Sequence, residues 1–304
     1  MSATAPPVSP GTPLLLRLPG GRFEHERSLW QHRALLRQLV RTDLQSRYIG
    51  TSMGLFWTVI HPLLSILVYI FVFSMIFRAR WESLGISFEG NFAVYFCCGM
   101  IPWMWFSDSL GGGCQSLVAH GHLLRKNVFP MIVLPLQPIL TGMVQFAIAF
   151  GIFLVLRVIF FGPPGWVALA LPLAVVLQLA FTVGLVQIFA IIHVFWRDMG
   201  QLLTSILMLW LWLTPIFYLP IFFAGPIREA FGQWAYDAIL WMFWINPFYH
   251  IAALYQRLLF FTATPEWQPR VWISIVYLAI LSGVLWFVAR RLFGRAQARV
   301  VEMV

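Results

Sequence analysis

Trp166–Trp196 reads WVALALPLAVVLQLAFTVGLVQIFAIIHVFW, without one Asp, Glu, Lys or Arg. A bilayer core of about 30 Å is crossed by roughly 20 apolar residues in helical form. This stretch is therefore long enough for a tilted span and longer than an untilted one needs. A helix that is apolar on every face over such a length is solvated by lipid or deeply enclosed, not exposed to water.

The rest of the 304-residue chain repeats the pattern. Further uncharged windows run over Gly54–Phe77, Asn91–Ser107, Met131–Leu156, Gln201–Phe223 and Val271–Ala289. Together they predict an all-α integral membrane protein with six transmembrane helices, at about 54–77, 91–110, 131–157, 166–195, 201–223 and 270–290. Composition agrees: 60% of residues are hydrophobic and 10% charged, against about 45–50% and about 25% in soluble domains. That balance excludes a disordered tail, a coiled coil and an ordinary soluble enzyme. A shorter apolar stretch, Ala238–His250, follows Pro226 and Gly232 and contains Pro247. Its length suits a re-entrant or interfacial helix, so residues 224–269 are expected to hold re-entrant periplasmic helices ahead of the last span.

The net charge of +9 comes from 20 basic and 11 acidic residues, and Lys126 is the single lysine. The basic residues flank the apolar runs, which points to membrane orientation and not to nucleic acid. Seven arginines precede the first span, Arg125 and Lys126 follow the second, Arg197 follows the fourth, and Arg290, Arg291, Arg295 and Arg299 close the chain. The positive-inside rule then places both termini in the cytoplasm. No cleavable signal peptide is expected, because Leu14–Leu16 is too short for an apolar signal core. Residues 1–27 read as a flexible leader and residues 294–304 as a cytoplasmic tail.

Residues 28–53 form the approach to the first span. Within Ser28–Tyr48, Leu36, Val40 and Leu44 recur every four residues, while Arg33, Arg37 and Arg41 form a stripe on another face. This predicts a basic amphipathic helix in the membrane interface, either as a plain anchor or as a docking surface for a cytoplasmic partner. The segment 111–130 opens on Gly111-Gly112-Gly113, which reads as a flexible break, and continues through His120, Leu124, Arg125 and Lys126 to Pro130.

Several chemistries are missing from the sequence. No Gly-Lys pair exists, so the chain has no phosphate-cradling P-loop. The histidines form no HExxH, there is no GxSxG, and Cys97, Cys98 and Cys114 have no metal-ligand spacing. Ionisable groups that an ion-coupled carrier places near the midplane are sparse: Asp108, Arg157, His61 and His193 are the candidates. Energy for pumping is therefore expected from outside the chain.

Six ordered motifs carry a resemblance. They are Arg47-Tyr48-Ile49-Gly50-Thr51-Ser52-Met53-Gly54-Leu55-Phe56-Trp57, Gly99-Met100-Ile101-Pro102-Trp103 with Phe106-Ser107, and Leu124-Arg125-Lys126-Asn127-Val128-Phe129-Pro130. Trp196-Arg197-Asp198, Thr214-Pro215-Ile216-Phe217-Tyr218 and Asn246-Pro247 complete the series. In this order, over roughly residues 28–290, the chain resembles the ABC-2-type polysaccharide export permeases. It departs from that pattern at Asn127, where the family often has a small or apolar residue.

The resemblance implies a non-catalytic permease subunit of the bacterial inner membrane. It implies a homodimer paired with two copies of a P-loop ATPase subunit, which binds the ATP and Mg, so no cofactor is expected in this chain. The implied cargo is undecaprenyl-linked polysaccharide, with O-antigen ahead of capsular polysaccharide or teichoic acid. By the same resemblance the 111–130 loop carries a coupling helix, so Arg37, Arg41, Arg47, His120, Leu124, Arg125 and Lys126 are expected to meet the ATPase. Sugar rings present C–H faces that lie on aromatic rings. Trp103, Trp105, Phe217 and Tyr218, with Tyr69 behind them, are the candidate pathway lining. Pro215, Pro220, Asn246 and Pro247 break helices near one membrane face and are the candidate gate. An ion-coupled lipid-glycan flippase and a membrane-embedded glycosyl- or acyltransferase are the alternatives, and both leave the ordered motifs unexplained.

Overall fold

The computed structural model describes residues 33–47, 50–72, 92–125, 131–260 and 267–303. The expected leader at 1–27, the end of the first expected span, and Lys126 through Pro130 lie outside the described residues. Among the described residues all regular structure is helical, and the chain is an all-α membrane protein.

Helix α1, Arg33–Ser46, keeps Leu35, Leu36, Leu39, Val40 and Leu44 half-buried and leaves Arg33, Arg37 and Arg41 exposed. Its end turns through Gly50, at φ +83°, and Gly54, at φ +50°, values that side chains with a Cβ rarely adopt. Helix α2, Trp57–Phe71, follows with Pro62 inside it.

Helix α3, Phe92–Ala119, is the centre of the fold, buried along most of its length. It runs straight through Gly111-Gly112-Gly113, where the sequence suggests a flexible break. Packing explains the difference. A Cβ on Gly112 would stand 3.1 Å from Pro138, and Gly113 lies directly against Val186. Two of the three glycines thus bring neighbouring helices close, which is how helices associate where lipid removes the hydrophobic drive. The helix consequently extends past the expected span end at 110 and takes in the first half of the 111–130 segment.

A short helix α4, Gly121–Arg125, follows. Helix α5, Leu136–Phe161, ends at Gly162 with φ +82°. Helix α6, Leu171–Phe195, is entered by a 3-10 turn over Trp166–Ala170, so the long uncharged run is two pieces in direct succession. Helix α7, Met199–Leu213, stops before Thr214, short of the expected end at 223. Helices α8, Ile221–Phe231, α9, Gln233–Ile245, and α10, Pro247–Leu259, follow. The expected Ala238–His250 helix is therefore divided at Asn246, whose side chain caps α10 while Pro247 supplies its first residue. Helix α11, Val271–Met303, continues through the segment expected to be a tail.

Helices α5, α6 and α10 pack around α3, and α11 lies along α6. At the α6–α11 crossing a Cβ on Gly184 would stand 2.7 Å from Leu285 Cβ, so this pair too depends on a missing side chain. By length and composition, Met131–Phe161, Trp166–Phe195 and Val271–Ala296 each suffice to cross a membrane among the described residues, with Trp57–Phe71 and Met199–Leu213 as shorter apolar helices. Large apolar side chains point outward, including Trp166 and Leu169, each 83% exposed, as lipid contact allows.

Candidate functional site

Two features converge polar groups inside this apolar frame. The first is a cleft of about 460 Å³ between α2, α3 and α5, closed at one end by the turn after α1. Arg47, Asp108, Gln145 and His61 bring polar groups to it, and Trp57 and Trp105 supply ring walls. Arg47 is paired with Asp43 at 3.2 Å and donates to Gln145 Oε1 at 3.4 Å, which ties the basic helix to α5. Asp108 sits inside α3, exposed, and has no basic group within ion-pair distance among the described residues. Arg47 is the charge that acts on it across the cleft.

The second feature is the break after α7. Asn246 Oδ1 accepts from the Trp210 indole N–H at 2.7 Å and from the Phe248 backbone N–H at 3.0 Å. Its amide donates to Thr214 Oγ1 at 2.8 Å. The Tyr95 hydroxyl on α3 donates to the carbonyls of Pro215 at 2.8 Å and Tyr218 at 3.2 Å. Irregular backbone at membrane depth is tolerated only where its polar groups find partners, and these bonds supply them. Pro215 and Pro220 bound this break, Pro220 lying just ahead of α8. Asn246 and Pro215 are legible in the sequence through their motifs and Pro220 as a proline near a span end, whereas nothing marks Tyr95.

A second buried chain of bonds was also missed. The Tyr255 hydroxyl donates to Gln178 Oε1 at 2.9 Å, and Gln178 Nε2 donates to the Pro102 carbonyl at 2.9 Å. Polar Gln178 interrupting the uncharged run was the readable signal. His250, on α10 between the last two expected spans, holds Ser274 Oγ at 3.0 Å and the Trp244 carbonyl at 2.7 Å. Burial lowers its pKa from the ordinary imidazole value, outweighing the Trp244 carbonyl, which favours the charged form.

The candidate aromatic residues separate into four groups. Tyr69 stands 5.0 Å from Phe96, Phe96 stands 5.3 Å from Phe217, and Phe217 stacks on Trp212 at 4.9 Å. That row joins α2, α3 and the break after α7. Trp103 belongs elsewhere: it is 3% exposed and enclosed by Phe248 at 4.7 Å, Phe106 at 5.5 Å and Trp210 at 6.1 Å. Within one chain it faces other rings and not open space. Trp105 stacks on Phe146 at 4.8 Å and donates to the Ile139 carbonyl at 3.1 Å, with its remaining edge toward the cleft. Tyr218 is half-buried, 6.1 Å from Phe243, and donates to the Trp212 carbonyl at 2.8 Å.

The residues expected to meet an ATPase are also distributed. Arg37 and Arg41 are exposed on α1, whereas Arg47 turns to the cleft. His120 is half-buried, its Nδ1 3.0 Å from the Ser116 carbonyl. Leu124 is buried in a cluster with Leu117, Leu134 and Phe293, so it anchors α4 to α11 and presents no surface. Lys126 lies outside the described residues.

No family model matches the chain. Curated relatives do match it over most of its length. The O-antigen export system permease protein RfbA of Myxococcus xanthus is 31% identical over 278 residues, covering 91% of this chain and 98% of the relative. A Klebsiella pneumoniae protein of the same name is 28% identical over 271 residues, covering 88% of this chain and 94% of the relative. Another from Klebsiella pneumoniae is 26% identical with the same coverage. With that identity along nearly the whole length, the chain belongs to the family of O-antigen export system permeases.

Proposed function

We propose that this chain is the permease subunit of an ATP-driven ABC exporter that carries lipid-linked O-antigen from the cytoplasm to the periplasm. The full-length likeness to O-antigen export permeases carries the reading. The absence of a Gly-Lys pair in the sequence fits a subunit whose power comes from a separate P-loop ATPase. In this reading two copies of the chain form the conduit in the inner membrane, each with six spans and cytoplasmic termini, and two ATPase copies bind below. Their closure pushes on α1 and on the α4 region that carries Arg125 and Lys126.

A polysaccharide cannot cross lipid bare, because its hydroxyls need partners. The Tyr69, Phe217 and Tyr218 rings supply C–H stacking surface along the path, and buried Trp105 backs the cleft wall. Trp103 supports them from behind. Pro215, Pro220, Asn246 and Pro247 form the gate, since a helix break held by side-chain bonds rearranges at less cost than a continuous helix.

The test is reconstitution of the chain with its ATPase partner in proteoliposomes loaded with lipid-linked O-antigen. ATP-dependent appearance of glycan on the far side is expected. Glycan movement at full rate without the ATPase would overturn the reading in favour of an ion-coupled flippase.

A further inference from the structure

Asp108 is costly where it stands. It is the one acidic residue of α3, just past the uncharged window that ends at Ser107, and a carboxylate in or beside a span persists where it meets a partner or a wet cavity. The described chain gives it the cleft and no ion pair. Beside it, the Thr58 hydroxyl on the cleft wall has no hydrogen-bond partner among the described residues.

The polar set has a particular chemistry. Asp108 accepts, Arg47 donates, and Gln145 and His61 do both. Half-buried Trp57 offers ring surface to the same space, and buried Trp105 backs its wall. A phosphate would be repelled by Asp108. A bare hydrocarbon chain would leave the Asp108 carboxylate and the Thr58 hydroxyl without partners among the described residues. A pyranose ring matches both halves: its hydroxyls donate to Asp108 and accept from Arg47, and its C–H face lies on an indole. The cavity, about 460 Å³, falls in the range of small-ligand sites, roughly 300–1,000 Å³.

We propose that the cleft between α2, α3 and α5 is a saccharide subsite, with Asp108 and Gln145 as its hydroxyl-binding residues and Arg47 closing it from the basic helix. It rests on the export reading and adds a binding station that the candidate pathway residues, Trp105 apart, do not include. Because Arg47 ends the segment carrying α1, occupancy of the cleft is felt by the helix that faces the ATPase.

The native cysteines help the test, since Cys97, Cys98 and Cys114 are buried and free. A T51C variant of the full permease–ATPase complex, at an exposed position on the cleft wall, is treated with a small water-soluble maleimide. Lipid-linked glycan is expected to slow modification about tenfold, the effect of a contact worth about 1.4 kcal/mol. The same lipid phosphate without glycan is expected to leave it unchanged. Adding D108L should remove the protection while co-purification with the ATPase persists, and D108N should retain part of it. Equal modification with and without glycan, while the complex exports, overturns the subsite and spares the export reading. Equal protection by the glycan-free lipid phosphate overturns it in favour of a headgroup site. Failure of the unmodified complex to export glycan with ATP is the separate result that sinks the broader reading.

Discussion

The indole of Trp210 donates to the carboxamide oxygen of Asn246 at 2.7 Å, fastening the last turn of α7 to the junction of α9 and α10. Asn246 answers two donors that would otherwise be unpaired, the Trp210 N–H and the Phe248 N–H, and donates to the Thr214 hydroxyl, which itself donates to the Trp210 carbonyl at 2.8 Å. Asn246→Ala should therefore cost about 1–3 kcal/mol per stranded donor. A clear drop of the thermal midpoint in detergent is the expected result, and N246D should recover the two bonds that Oδ1 accepts. A midpoint equal to wild type would show that the junction holds without this side chain.

Gly111 and Gly113 lie on one helix and should respond oppositely to alanine. A Cβ on Gly111 meets nothing within 4 Å, whereas one on Gly113 runs into Val186. Gly111→Ala should be neutral or stabilising by up to about 1 kcal/mol, from helix propensity. Gly113→Ala should destabilise, because overpacking costs about 1–3 kcal/mol. The two thermal midpoints decide it, and similar behaviour at both sites would restore the flexible-break expectation.

Trp103 and Tyr218 should separate packing from passage. Trp103→Ala empties space among Phe106, Trp210 and Phe248, a change worth about 3–5 kcal/mol, and should lower assembly and export together. Tyr218→Ala removes a half-buried ring and should slow export with assembly largely kept. Parallel loss of both for Tyr218→Ala would assign that ring to packing as well.

Reversing the charges at Arg125 and Lys126 should lower export and its coupling to ATP hydrolysis while the chain still inserts. Leu124, buried against α11, keeps the segment anchored in such a variant, so any loss reports on the charges. Unchanged transport by the double mutant rejects their role in coupling.

His250 should make stability fall on acidification. Its folded pKa lies below the ordinary value of 6.5 because burial disfavours the charged ring. The unfolded chain then binds the proton more readily, and stability declines as pH drops below about 6.5. Around the ring stand Tyr277, stacked at 4.3 Å, and the Ser274 hydroxyl. His250→Gln should flatten the midpoint-against-pH curve between pH 7 and 5, and an unaltered slope would assign the pH response to another group.

Much of the candidate site was legible one residue at a time. Pro215, Pro220, Asn246 and Pro247 stood out because each interrupts an apolar helix pattern, and the structure joins three of those interruptions at one break. Asp108 stood out as an acid among uncharged residues. Its neighbours across the cleft come from positions 37 residues later and 61 residues earlier in the sequence: Gln145 carried no signal, Arg47 was legible only as a basic residue expected to face an ATPase, and nothing local marks their convergence. Trp103 and Phe217 looked equivalent as aromatic residues in the sequence, yet one is walled in by rings and the other continues a row from Tyr69.

The sequence alone determined that this protein lives in lipid and is built of helices. Lipid accepts apolar side chains whatever their neighbours, and backbone groups without water must bond within the helix, so composition and run length suffice. The order of six motifs likewise pointed to the family. Only the tertiary structure decided which glycines are pressed against a neighbour, which rings share a row, and that Asp108 opens on a cleft. Those facts depend on how each helix is rotated and crossed, and that is set by contacts between distant residues such as Gly113 with Val186 and Gly184 with Leu285.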